Sequence, residues 1–263
     1  MPDRPKLMVF TDLDGTLLDH HTYRWDAASD ALQLLRDNQC AVILASSKTA
    51  SEISPLRAAL GFSHWPAIVE NGAGLLQEGE KNTPDDTQYQ RIRQALETAP
   101  QDLRKHFRGF GDLTAPDIAT LTGLAPEDAA AAKQRCFSEP GQWSGSEDHK
   151  TRFLAHLAGY KITAQQGGRF LTLSHGGNKA DRVKELIATH RPAHTVALGD
   201  APNDRAMIEA ADVGVVVANP DGQKMGRLAG EDTGRILRTG WPGPRGWNAA
   251  MLTLLEDLGI GEG

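Results

Sequence analysis

Short apolar runs alternate with amphipathic stretches along the first third of the chain. Residues 7–11, 41–45 and 66–69 have the length and composition of buried strands. Between them, residues 25–37 and 49–60 carry apolar side chains at helical spacing. Buried strands that alternate with helices are typical of a parallel sheet with helices on both faces. We therefore expect a doubly wound α/β core with a mostly parallel sheet.

This alternation is interrupted in the middle of the chain and returns towards its end. Residues 77–87 are polar and indicate a linker. After the linker, helices are predicted at 89–99, 101–107, 115–121, 127–135 and 149–157, and strands at 136–137, 160–165 and 170–174. The first pattern resumes with helices at 178–188 and 205–210 and strands at 195–198 and 213–217. We expect a catalytic core formed by residues 1–82 and 176–263, with an inserted α+β cap domain at 83–175.

Polar side chains follow each of the first three predicted strands. In chain order they are Asp12 and Asp14, then Ser46, Ser47 and Lys48, then Asn71. Parallel sheets bind ligands at the carboxyl ends of their strands. We therefore expect these groups to lie around one binding site.

Asp12 and Asp14 are candidates for metal binding and for catalysis. Two carboxylates this close repel each other unless a cation lies between them, and a hard divalent ion such as Mg²⁺ prefers oxygen ligands. One carboxylate can attack the phosphorus of a phosphate ester, while the other protonates the leaving oxygen and later deprotonates water. The alternative, a turn in which an aspartate caps a helix, stays open from these residues alone.

A second acidic cluster, Gly199-Asp200-Ala201-Pro202-Asn203-Asp204, follows the strand predicted at 195–198. Asp200 is a candidate metal ligand, and Asn203 or Asp204 would complete the shell directly or through water. Helix capping is the alternative. Lys179 begins the preceding helix, where a cation is unfavourable to the helix dipole. Its charge is useful there if it offsets that of Asp12 and a bound phosphate.

Composition and charge exclude several classes of function. The chain of 263 residues has 34 acidic and 28 basic side chains and a net charge of −6, without a basic block, so a nucleic-acid partner is not expected. No apolar run approaches the ~18 residues of a membrane span, and the two cysteines are far apart, as in a protein with reduced thiols. We expect a cytoplasmic protein with no membrane partner; the oligomeric state is left open.

These clusters, in this order, resemble the haloacid dehalogenase superfamily. The resemblance rests on D-x-D-G-T at 12–16, a strand-end serine, a lysine, and G-D-x-x-N-D at 199–204. It implies a Mg²⁺-dependent phosphatase with Asp12 as nucleophile, Asp14 as acid/base, Ser46 on the phosphate and Lys179 balancing charge. Asp12, the Asp14 carbonyl and Asp200 would hold the ion. The Glu70-Asn71-Gly72 run, with an insertion after it, resembles the Cof-like branch with a type-2 cap.

A narrower resemblance is to the mannosyl-3-phosphoglycerate phosphatases. It rests on the segments 10–23, 46–49, 137–140, 168–170 and 199–204. This family releases mannosylglycerate, a compatible solute, from a mannosylated 3-phosphoglycerate. Three alternatives stay open: a phosphatase for glucosyl-3-phosphoglycerate or another sugar phosphate, a transferase like the phosphomannomutases, and a non-catalytic binding protein.

Three side chains are candidates for recognising such a small phosphorylated sugar-glycerate substrate. The guanidinium fork of Arg169 fits a carboxylate, and Lys48 could serve the same group from the core. Glu139 could accept hydrogen bonds from sugar hydroxyls. Each could also be an ordinary surface residue.

Overall fold

The computed structural model describes residues 4–79 and 84–261. Its strands are β1 (Leu7–Thr11), β2 (Ala41–Leu44), β3 (Ala67–Val69), β4 (Gly74–Leu76), β5 (Phe107–Gly109), β6 (Ser138–Trp143), β7 (Thr163–Gly167), β8 (Phe170–Ser174), β9 (His194–Gly199), β10 (Val213–Ala218) and β11 (Ile236–Pro242). Its α-helices are α1 (Ser29–Asp37), α2 (Ala50–Ala59), α3 (Thr87–Glu97), α4 (Gln101–Arg104), α5 (Ala115–Thr122), α6 (Pro126–Ala132), α7 (Glu147–Ala158), α8 (Lys179–His190), α9 (Arg205–Ala210) and α10 (Gly243–Asp257).

A five-stranded parallel sheet in the order β11-β10-β9-β1-β2 forms the core, which confirms the predicted α/β class. Strand β1 is buried along its whole length, as expected for the centre of a parallel sheet. At its last residue, Thr11 is paired with Leu44 of β2 and with Leu198 of β9. The loops that carry Asp12, Ser46 and Asp200 therefore leave the sheet side by side.

A separate antiparallel sheet in the order β5-β6-β8-β7 lies in the middle of the chain. Helices α3 and α7 pack against it around a second apolar core that includes Ile92, Phe107, Phe153 and Leu171. The expected domain boundary at residues 82 and 83 lies outside the described residues. The insertion of this sheet between β4 and α8 matches the predicted α+β arrangement.

Two predicted elements of the insertion are wrong. The helix expected at 101–107 ends at Arg104, because Phe107 begins β5 and pairs with Trp143. The strand expected at 136–137 begins instead at Ser138. The backbone N–H groups of Cys136 and Phe137 donate to the Glu70 carboxylate, so they are not used in a strand ladder.

Residues 224–261, where no helix or strand was predicted, complete the core. Strand β11 forms its edge, and α10 packs against β11 and α1. Trp247 of α10 is fully buried, and its Nε1 donates to Oγ1 of Thr11 at 3.0 Å. This contact fixes α10 against the strand end that precedes Asp12. Within the described residues, no helix is both long and apolar enough to cross a bilayer.

Candidate active site

Three buried carboxylates meet at the carboxyl ends of β1 and β9. One oxygen each of Asp12, Asp200 and Asp204 lies within 4.8 Å of the others. The expectation that Asp12 and Asp200 come together is therefore confirmed. Burial, and next the negative charge of Asp204, raise the pKa of Asp12 well above its usual value. The cluster thus holds more negative charge than its surroundings favour, and a cation would relieve it.

Lys179 supplies one positive charge to this cluster. It is the first residue of α8, a helix whose N-terminus is capped by the Asn178 side chain, which accepts from the N–H of Asp181. The buried Nζ of Lys179 lies 2.5 Å from Oδ1 of Asp12 and 2.7 Å from Oδ1 of Asp204. Burial alone would lower its pKa, but the two aspartates outweigh burial and hold the pKa above its ordinary value. The ammonium therefore stays charged beside Asp12.

Asp200 and Asp204 are held by a dense set of donors. The hydroxyl of Thr16 donates to Oδ1 of Asp200 at 2.7 Å, and Nδ2 of Asn219 donates to Oδ2 at 2.5 Å. Oδ2 of Asp204 accepts from the backbone N–H groups of Asp200 and Ala201. Burial raises the pKa of Asp200. Asn219 was missed in the sequence, although its place directly after an apolar strand was a usable signal.

Asp14 turns away from the buried cluster and is about one-third exposed. Its Oδ2 lies 2.9 Å from Nζ of Lys48, which also lies over the Tyr23 ring at 5.4 Å. Although burial opposes its charge, the Asp14 carboxylate raises the pKa of Lys48. Oδ1 of Asp14 is shielded from solvent and has no hydrogen-bond partner among the described residues. Asp14 therefore has one oxygen available to a ligand.

The donor set fits a hard divalent cation. Carboxylate oxygens of Asp12 and Asp200 converge from two strand ends, and oxygen donors in this number suit Mg²⁺. Asp204 belongs to the same cluster, but its oxygens already accept from Lys179 and from two backbone amides. Nδ2 of Asn203 lies 3.4 Å from Oδ1 of Asp204. Direct ligation by Asn203 or Asp204 stays a prediction.

A cavity of about 450 Å³ lies between the core and the inserted sheet. Five of the residues singled out in the sequence line it: Asp14, Ser47, Lys48, Asn71 and Asn203. Its other wall comes from the insertion and includes Gln165, Gln166, Thr172 and Phe170. Ser46 is buried just behind, where its Oγ accepts from the N–H of Lys48 at 3.2 Å. The cavity can therefore take a ligand whose one end reaches the strand-end loops.

Two candidates for substrate recognition lie elsewhere. Glu139, a candidate for binding sugar hydroxyls, is fully buried in β6, where it accepts from Arg93 and from the N–H of Gly111. Arg169 is exposed, donates to the carbonyl of Thr122, and lies against the Phe170 ring. Neither side chain lines the cavity. Both were misplaced because their surroundings depend on how the inserted sheet packs, which local sequence does not encode.

Glu70 joins the core to the insertion, a role that the sequence analysis missed. It follows β3 and is buried, and its carboxylate accepts from the N–H groups of Cys136 and Phe137 and from the Ser138 hydroxyl at 2.7 Å. A second contact between the two parts runs from the Thr49 hydroxyl to the carbonyl of Ala131 at 3.0 Å. These bonds fix the position of the cavity's two walls.

Comparisons with known proteins agree with this architecture. Residues 9–113 and 125–223 match the family model of the haloacid dehalogenase-like hydrolases. Among solved structures, a phosphatase of the haloalkanoate dehalogenase superfamily from Bacteroides thetaiotaomicron has a TM-score of 0.63 at 18% identity, covering 98% of this chain and 97% of its own. A sucrose-phosphatase from Synechocystis, solved with sucrose and phosphate, has a TM-score of 0.59 at 15% identity, covering 98% and 99%. At such identities the two structures share the fold.

Proposed function

The chain belongs to the haloacid dehalogenase-like hydrolases, and from this premise we propose that it is a Mg²⁺-dependent phosphatase with Asp12 as its nucleophile. The observation that carries the proposal is the cluster of Asp12, Asp200 and Lys179, which lies two residues from Asp14, a residue of the cavity wall. A carboxylate beside a fixed ammonium can approach the phosphorus of a monoester, because the cation offsets the charge of both.

Each residue has a distinct task in this mechanism. One carboxylate oxygen of Asp12 bonds to phosphorus as the ester oxygen departs, and Asp14 gives that oxygen a proton. Asp14 then takes a proton from water, which attacks phosphorus and returns Asp12 to its free state. Ser46 donates to a phosphate oxygen, and the charge of Lys179 opposes the rise in the pKa of Asp12 and so favours its ionised form. Bound Mg²⁺, held by Asp12, Asp200 and the Asp14 carbonyl, would neutralise phosphate charge.

We further propose that the substrate is mannosyl-3-phosphoglycerate. Three observations support this choice: the motif resemblance, the neutral amide and hydroxyl groups of Gln165, Gln166 and Thr172 on one cavity wall, and the cation of Lys48 on the other. Amides and hydroxyls suit sugar hydroxyls, and a cation suits a glycerate carboxylate. The similar sucrose-phosphatase was solved with sucrose and phosphate, a sugar and the group that a sugar phosphatase releases.

Measuring phosphate release from a substrate panel tests both levels of the proposal. The panel contains mannosyl-3-phosphoglycerate, glucosyl-3-phosphoglycerate, sucrose 6-phosphate and mannose 6-phosphate, each with and without Mg²⁺. We expect the highest kcat/KM for the mannosyl ester and no turnover by Asp12→Asn. A preference for hexose 6-phosphates would contradict the substrate, and Mg²⁺-independent turnover or an active Asp12→Asn would contradict the mechanism.

A further inference from the structure

A second cation, Arg135, lies on the cavity wall beside Lys48. It comes between α6 and β6, and it is 8% exposed. Its Nε lies 3.2 Å from Oε2 of Glu70, and its Nη2 donates to the Ser138 hydroxyl at 2.7 Å. Its Nη1 donates to the carbonyl of Ser47 at 3.4 Å, which is long for a hydrogen bond. The guanidinium is thus fixed where the insertion meets the core.

The guanidinium keeps hydrogen-bonding capacity for a ligand. It carries five N–H groups, and its hydrogen bonds within the described part of the chain use one N–H of Nη2 and, at long distance, one of Nη1. Nε lies in ionic contact with Glu70 but makes no hydrogen bond there. Glu70, its ionic partner, already accepts from two backbone amides and a hydroxyl. A buried arginine held from behind by a carboxylate, with N–H groups left over at a cavity, is prepared to bind a planar anion.

Arg135 lies close to the loop that carries the proposed phosphate ligand Ser46. Its Nη1 contacts the carbonyl of Ser47, which directly follows the proposed phosphate ligand Ser46. Consecutive Cα atoms are about 3.8 Å apart. Lys48, the next residue, brings a second cation to the same wall. The wall therefore suits a negative group only a few bonds away from the phosphate.

We propose that Arg135, together with Lys48, binds a carboxylate that the substrate carries next to its phosphate ester. The inference rests on the proposed phosphatase function and deepens it, because it assigns the substrate's second anionic group to a residue. Arg135 thereby takes the role expected of Arg169, whose guanidinium lies on the exposed surface outside the cavity. Arg135 determines specificity: it distinguishes phosphorylated acids from phosphorylated alcohols.

The test compares two ligands that differ only in this group. Binding of 3-phosphoglycerate and of glycerol 3-phosphate is measured by calorimetry with Mg²⁺ in the Asp12→Asn background, where neither is consumed. We expect the carboxylate to improve Kd by about tenfold or more, as a charged hydrogen-bonded pair does. Arg135→Gln should bring the two Kd values together. Arg152→Gln, which changes a half-exposed arginine paired with Asp102, is the matched control and should leave their ratio unchanged.

The proposal is overturned if the parent binds both ligands with equal Kd or does not bind 3-phosphoglycerate. It is also overturned if Arg135→Gln leaves the ratio of the two Kd values unchanged, or if Arg169→Gln abolishes that ratio instead. A merely structural Arg135 would weaken both ligands equally, which also counts against it. If Arg135→Gln unfolds, Arg135→Lys serves in its place, since it keeps the charge but lacks the paired N–H groups of the guanidinium. We expect Arg135→Lys to retain part of the difference between the two Kd values. A wrong choice of substrate would give a different result. The protein would release no phosphate from mannosyl-3-phosphoglycerate, but it would still bind 3-phosphoglycerate more tightly than glycerol 3-phosphate.

Discussion

Replacing Gly72 with alanine would displace Lys179, the residue that we propose balances the charge of Asp12, through the backbone. Gly72 has a φ of +92°, and a Cβ placed there would lie 2.1 Å from the carbonyl carbon of Asn178 and 2.4 Å from the nitrogen of Lys179. Real Cβ atoms do not approach backbone atoms this closely. The start of α8, which carries Lys179, must therefore move away by about 1 Å, a displacement that can cost ~100-fold in rate.

The cost in stability has two parts. The left-handed backbone conformation costs alanine about 1–2 kcal/mol, and the forced contact adds about 1–3 kcal/mol, the range for overpacked sites. We expect Gly72→Ala to lower the free energy of unfolding by about 2–5 kcal/mol. Urea titration measures this loss, and phosphate release at saturating substrate measures the effect on kcat.

Gly123 provides the matched control. It has a φ of +82° at the end of α5, and nothing lies within 4 Å of the position a Cβ would take. Gly123→Ala therefore keeps the conformational cost, about 1–2 kcal/mol, without the clash. If the two variants lose equal stability and both keep wild-type kcat, the close approach of Gly72 to α8 has no consequence and the reasoning is refuted.

Three further predictions concern charge and burial. Because burial raises the pKa of Asp12 and of Asp200, both bind protons more tightly in the folded chain, and the metal-free protein loses stability as the pH rises through their folded pKa values. Mg²⁺ competes with those protons, so adding Mg²⁺ should raise the Tm of the protein more near pH 8 than near pH 5. A larger increase near pH 5 would contradict this prediction. Burial raises the pKa of Cys40 to about 11 and of Cys136 to about 12, so neither should react with a disulfide reagent near pH 8 until the protein unfolds. Glu139→Ala removes the buried acceptor of the Gly111 N–H and of one Arg93 nitrogen, while Arg93 keeps its pair with Asp112. We expect a cost of about 1–3 kcal/mol in urea titrations; a loss below about 0.5 kcal/mol would place Glu139 outside the cap's stabilising contacts.

Local sequence patterns were sufficient to predict several helices and strands and the meeting of residues at the strand ends. The strand Phe170–Ser174 and the helix Arg205–Ala210 begin and end where their periodicity predicts. Because parallel strands end at one edge of the sheet, the meeting of Asp12 with Asp200 followed from sequence as well. The helix Gly243–Asp257 was also within reach, since Trp247, Met251 and Leu254 recur at helical spacing.

Contacts between residues far apart in the chain could not be predicted from the sequence. The pairing of Lys48 with Asp14 joins two strand-end loops, and the burial of Glu139 depends on the register of β6 with its neighbours. The three-residue strand Phe107–Gly109 is too short for a periodic signal, and it exists because it pairs with β6. In the sequence, Arg135 ends a helical pattern and resembles an ordinary solvated arginine. Its pairing with Glu70 is visible only in the structure.

The central claim is that Asp12 itself becomes phosphorylated. Rapid acid quenching during turnover, followed by borohydride reduction of the acyl phosphate and peptide mass spectrometry, identifies the aspartate that carried the phosphoryl group. We predict that the reduced residue is Asp12 and that no label appears in Asp12→Asn. Label on Asp14 or Asp200, or full turnover with no acyl phosphate at any quench time, would contradict the account.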